Sequence, residues 1–235
     1  MRRRRVALAL LAVALGLPRA AVAAAEAVQL RAADGTTLAA TLYRSPRGPA
    51  PAIVLVHMLT RTRDDWRPFA ERLQAAGATC LAIDLRGHGG SGGSAAPSAA
   101  MALDVQAAVA WLTARGDVAS GAIGLVGASF GATPAMAAAG DSPAVRAVAL
   151  LSPSADYRGV RLDAGLRKYG TRPLLLVAST EDPYALRTVR ALTEDEAAGR
   201  ELRLSTVPAH GAHLLDRDPE LAAALVDWLR RSLLF

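Results

Sequence analysis

Several short runs in this chain are apolar at every position, among them AIVLV at 52–56, VALL at 148–151 and LLLVA at 174–178. A strand covered on one face alternates apolar and polar residues, so runs like these must be covered on both faces. Between them the period becomes helical: Trp66, Phe69, Leu73 and Ala76 recur at three- and four-residue intervals before Gly77. The alternation predicts strands at 52–57, 79–85, 122–126, 146–151, 173–178 and 202–207, and helices at 65–76, 99–115, 130–139, 185–198 and 219–234. Ahead of them, 27–31 and 37–43 flank Ala33-Asp34-Gly35, a hairpin signature. The fold class that follows is α/β, a three-layer sandwich with a mostly parallel sheet that opens on antiparallel strands. About twenty residues separate Leu151 from Pro173. They suffice for a loop and one short helix near 163–169, and no large cap domain fits. No internal repeat or low-complexity linker interrupts the pattern, so residues 26–235 are expected to form one domain.

The net charge of +6 and pI near 10.4 suggest a nucleic-acid partner until the charge is located. Five of the 27 basic residues lie within residues 1–25, which hold no acid, so the remainder carries only +1. No nucleic-acid partner is expected of so neutral a body. The basic stretch itself, Arg2 to Arg5, precedes an apolar run from Val6 to Leu17 and the small residues Ala21-Val22-Ala23. That order predicts a secretory signal peptide over 1–25 and an exported protein, periplasmic or secreted. The run is about a dozen residues where a spanning helix needs roughly 20, so no stable membrane insertion of the mature chain is expected. Cys80 is the one cysteine, within an apolar run, which rules out an internal disulfide and points to an inert buried thiol.

Chemistry is signalled most strongly by Gly127-Ala128-Ser129-Phe130-Gly131, a G-x-S-x-G placed directly after a predicted strand and before a helix. A sharp turn there would expose the Ser129 hydroxyl at the carboxyl edge of the sheet, with the Phe130 N–H facing developing negative charge. The alternative is a turn serine that only caps a helix. A serine hydroxyl is a weak nucleophile without a base. His210 and His213 follow the last strand, and Glu181-Asp182-Pro183 follows the strand before it, so both loops open at the edge that carries Ser129. Two histidines three apart also suit a metal, but no third ligand accompanies them and no metal or other cofactor is expected. Gly87, Gly89 and Gly92 spell a dinucleotide fingerprint, yet Gly93, Ser94 and Pro97 separate them from the next helix. They are read as a tight loop, with Asp84, Arg86 and His88 structural.

With these residues in place the sequence resembles the α/β-hydrolase family, in particular its small capless members of the dienelactone-hydrolase and esterase type. The strand ending in His57, the segment Asp84-Leu85-Arg86-Gly87-His88-Gly89-Gly90-Ser91, the elbow at Ser129 and the loops at 181–183 and 209–211 carry the resemblance. It implies Ser129 as nucleophile, Asp182 as orienting acid and His210 as base, with the backbone N–H groups of Leu59 and Phe130 as oxyanion hole. His210 is preferred to His213 because Gly211 permits the tight backbone that aims the ring; Asp182 is preferred to Glu181 by its register before Pro183. Where the family has His-Gly, this chain has His57-Met58, so Met58 is expected to narrow the pocket or alter the loop. Met58 and Tyr184 are expected to contribute apolar substrate contacts. The implied activity is hydrolysis of a small-molecule carboxylic ester through an acyl-serine. A peptidase or amidase of the same fold and a non-catalytic binding module are the alternatives.

Overall fold

The computed structural model describes residues 24–95, 99–157, 159–194 and 199–235. The expected signal segment lies outside them except for its last two residues. In chain order the elements are β1 (Glu26–Arg31), β2 (Thr37–Tyr43), β3 (Ala50–Val56), α1 (Arg67–Ala76), β4 (Thr79–Ile83), α2 (Met101–Thr113), β5 (Val118–Ala128), α3 (Ala132–Asp141) and β6 (Val145–Leu151). A two-stranded ribbon follows, β7 (Asp156–Tyr157) with β8 (Val160–Arg161), then α4 (Asp163–Tyr169), β9 (Leu174–Ser179), α5 (Pro183–Thr193), β10 (Arg200–Ser205), α6 (His213–Arg217) and α7 (Pro219–Leu233).

The main sheet has eight strands in the order β1-β2-β4-β3-β5-β6-β9-β10. Its first two pairings, β1 with β2 and β2 with β4, are antiparallel. The other five are parallel, so β3, β5, β6, β9 and β10 all end at one edge. The fully apolar runs are covered on both faces, as expected. Val54 and Val56 of β3, with Leu174 and Leu176 of β9, pack toward α2, α3, α4 and α5. Their neighbours Ile53, Leu55, Leu175 and Val177 pack toward α1, α6 and α7. Helix α1 buries Phe69 and Leu73 and stops at Gly77, whose φ of +104° suits glycine and lets its N–H reach the Gln74 carbonyl at 3.0 Å.

Most predicted elements are present within a few residues. Strand β5 starts earlier than expected, at Val118, and β10 ends earlier, because the Val207 N–H turns back to the Ser205 hydroxyl at 3.1 Å. The ribbon and α6 were not anticipated. Among the described residues no helix is long and apolar enough to cross a membrane.

The glycine-rich segment after β4 is a structural loop, as read. Glycines wrap the buried Asp84, whose carboxylate accepts the N–H groups of Arg63 at 2.7 Å and Gly90 at 2.8 Å and also pairs with the Arg63 guanidinium. A Cβ at Gly89 would stand 2.0 Å from that carboxylate. Arg86 anchors the loop to α2 through a fork of bonds to the buried Asp104, with Nη2 to Oδ1 at 2.7 Å, and reaches Asp34 of the first hairpin at 2.6 Å. Removing one member of a buried pair leaves an uncompensated charge. Urea unfolding of Arg86→Met is therefore expected to show a loss of about 3–5 kcal/mol, and the double variant Arg86→Met/Asp104→Leu a smaller one.

Candidate active site

Strand β5 runs into a single 3-10 turn, Ser129–Gly131, before α3 begins. Ser129 sits at this junction with φ of +48°, a left-handed conformation that costs a non-glycine residue of order 1–3 kcal/mol. The flanking glycines explain how the turn fits. A Cβ on Gly131 would lie 2.4 Å from the His57 carbonyl oxygen, and one on Gly127 would lie 2.7 Å from the Gly131 carbonyl oxygen. The elbow is thus pressed against the end of β3, which brings Leu59, three residues beyond that strand, and Phe130 to the same region.

His210 lies on the loop after β10, and its Nε2 is 2.7 Å from the Ser129 hydroxyl. Its Nδ1 is 2.5 Å from Oδ2 of Asp182. Asp182 is doubly engaged, because its other oxygen caps α5 by accepting the Ala185 N–H at 3.1 Å. The cap fixes the carboxylate against the helix while Pro183 occupies the first helical position. Half of the His210 side chain is exposed, so the face it presents to a ligand is open to water. An imidazole held this way can take a proton from Ser129 while the carboxylate fixes which nitrogen is free.

The competing residues lie elsewhere. His213 begins α6 and faces Asp216 at 3.6 Å, and Glu181 is exposed. Tyr184 stands exposed beside Asp182, its hydroxyl 2.9 Å from that of Ser154. Met58, expected to contact substrate, is instead buried with Ala128 and Ala212. It fills the space under Gly211, where an added Cβ would meet its sulfur at 2.3 Å. Its side chain supports the His210 loop from beneath, which accounts for a methionine where the resemblance expects glycine. Burial pushes the Cys80 thiol up, in keeping with an inert group.

Two features were not read from the sequence. The first is the role of His57, which is fully buried, donates from Nδ1 to the Met58 carbonyl at 2.7 Å and accepts the Leu85 N–H on Nε2 at 3.0 Å. It pins the loop carrying Leu59 to the end of β4; a histidine closing an all-apolar strand was the available signal. The second is an aromatic row, His57, His88, Phe130 and Tyr157, with successive ring centroids 5.0, 6.1 and 5.4 Å apart. It ties the ribbon to the elbow. A cavity of about 500 Å³ lies beyond the ribbon, bordered by Ala102, Pro134, Ala137 and Arg161, with no member of the Ser129–His210–Asp182 set in its lining.

Residues 34–205 match the model of the X-Pro dipeptidyl-peptidase (S15) family. The chain belongs to that family. No curated protein sequence matches it. Among solved structures, a Pyrococcus furiosus esterase shares a TM-score of 0.78 at 19% identity, covering 94% of this chain and 96% of that one. A dienelactone hydrolase from Anabaena variabilis gives 0.71 at 21% identity, covering 89% and 98%. Est1E from Butyrivibrio proteoclasticus, solved with ferulic acid bound, gives 0.74 at 18%, covering 88% and 100%. At these identities the likeness is one of fold, and this S15-family chain has an α/β-hydrolase fold without a large cap.

Burial pushes the pKa of His57 down from 6.5 to about 4, partly opposed by the bond to the Met58 carbonyl. Below pH 6.5 the unfolded chain takes up a proton that native His57 refuses until about pH 4. Its contribution is therefore complete above pH 6.5 and is lost as pH falls toward about 4. Chemical denaturation at pH 7 and pH 4.5 is expected to show a drop with a share of about 2–3 kcal/mol from this group, absent in His57→Gln.

Proposed function

We propose that this protein is a serine hydrolase acting on carboxylic esters of small molecules. The observation that carries the reading is the unbroken hydrogen-bonded series from the Ser129 hydroxyl through His210 to Asp182, at 2.7 and 2.5 Å. Ser129 Oγ attacks the ester carbonyl carbon as His210 Nε2 accepts its proton, and Asp182 stabilises the imidazolium. The backbone N–H groups of Leu59 and Phe130 hold the oxyanion. Collapse of the tetrahedral intermediate expels the alcohol, which takes the proton from His210. A water activated by the same imidazole then releases the acid from the acyl-serine. These residues suffice for ester cleavage, and no cofactor or metal takes part in the scheme.

The half-exposed His210 and the small insertion between β6 and β9 favour an ester that reaches the site from open solvent. Tyr184 stands exposed two residues after Asp182, and the ribbon residue Tyr157 packs edge-on against Phe130. The leader expected over residues 1–25 makes action outside the cytoplasm part of the same proposal. A peptidase reading is favoured by one observation, the family that the chain matches, whose name specifies cleavage after an X-Pro dipeptide. The two separate by substrate. The parent is expected to hydrolyse p-nitrophenyl acetate faster than Gly-Pro p-nitroanilide, and Ser129→Ala to lose about a thousandfold or more of kcat. Faster turnover of the anilide would establish the peptidase, and ester turnover unaffected in Ser129→Ala would sink both.

A further inference from the structure

The loop that carries His210 is bonded to buried serine hydroxyls on both sides of the histidine. On the near side of His210, the Val207 carbonyl accepts the hydroxyl proton of Ser179 at 2.7 Å, and the Val207 N–H donates to the Ser205 hydroxyl at 3.1 Å. On the far side, the Gly211 N–H donates to the Ser152 hydroxyl at 3.0 Å. Ser152, Ser179 and Ser205 are each no more than 3% exposed and lie at the carboxyl ends of β6, β9 and β10, consecutive strands of the sheet.

Each of the three serines is also bonded outside the His210 loop. Ser179 also accepts the Glu181 N–H at 3.0 Å, so one oxygen joins the Asp182 loop to the His210 loop. Ser205 donates to Asp218 at 2.6 Å, and Asp218 caps α7 by accepting the Leu221 N–H at 2.9 Å. Ser152 is itself fixed by donation of its N–H to the Val177 carbonyl at 2.7 Å. It adopts φ of +49°, a conformation in which a glycine would be relaxed and a serine is strained. Helix capping does not require a hydroxyl there, and the bond to Gly211 gives it a use.

We propose that Ser152 and Ser179 are positioning residues that bracket His210 and set the aim of its imidazole at Ser129. This inference rests on the triad reading above. A displacement of about 1 Å in a catalytic group can cost on the order of a hundredfold in rate, so two bonds that fix the loop on either side of one ring bear on the chemical step. Loss of either hydroxyl would leave the loop in place over Met58, but free to turn the ring.

The decisive variant is Ser152→Gly, because glycine suits the positive φ and the substitution removes the hydroxyl without adding backbone strain. Steady-state hydrolysis of p-nitrophenyl acetate by the parent, Ser129→Ala, Ser152→Gly, Ser179→Ala and Ser179→Thr is the measurement, with thermal unfolding followed for each. Ser152→Gly is expected to unfold cooperatively near the parent temperature and to lose at least about tenfold in kcat with KM within about twofold. Ser179→Ala is expected to lose kcat in the same way, and Ser179→Thr, which keeps the hydroxyl, to recover most of it. A kcat for Ser152→Gly within threefold of the parent, or a loss confined to KM, overturns the proposal. A parent without Ser129-dependent turnover removes the triad reading itself, and the bracketing proposal falls with it.

Discussion

The contact on which the rest of the site depends is backbone against backbone: Gly131 lies so close to the end of β3 that a single methyl group would stand 2.4 Å from the His57 carbonyl and 2.6 Å from that of Val56. That approach lets the chain leave β5, turn through Ser129 at φ of +48° and start α3 within three residues. The strain at Ser129 persists because its surroundings over-determine it, with Ala128, Phe130 and Ala132 all buried. The sheet thereby delivers one hydroxyl at its carboxyl edge, beside the loop that holds Leu59.

A parallel sheet makes the other members reachable. Strands β9 and β10 lie parallel to β6, so the loops after them open at the edge where β5 presents Ser129. Buried polar groups then hold the two loops that follow β3 and β4. His57 is kept neutral by burial and bridges the β3 and β4 exits, while Asp84 and Arg86 hold the glycine-rich loop to its neighbours. The bonds of His57 to Leu85 and of Arg86 to Asp104 join segments 28 and 18 residues apart, and losing one partner would leave a buried polar atom unpaired, which makes the site part of the stability of the fold.

The architecture was legible in the sequence because its signals are repeated: runs apolar at every position, helical spacing between them and glycine at the stops. Ser129 was legible because glycines at 127 and 131 answer a steric need that only that turn creates. The loops holding Asp182 and His210 followed from strand direction, whereas choosing those two residues over Glu181 and His213 drew on the family resemblance. The two-residue strands β7 and β8 were not legible, since neither is long enough to show a period. Nor was the place of Met58, whose burial under Gly211 depends on two loops meeting that are more than 150 residues apart. Ser152 reads as an ordinary residue after an apolar run; its positive φ and its bond to Gly211 exist only once β6 and the β10 exit are side by side.

The chemistry of the site requires that His210 activate Ser129 in the assembled fold. Its most direct measurement is intact-mass analysis after exposure to a fluorophosphonate, with the adduct mapped by peptide digestion, on the parent chain and His210→Ala. One adduct per chain is expected on Ser129 in the parent, with near absence in the variant. Equal labelling of both, or an adduct on another residue, would contradict it.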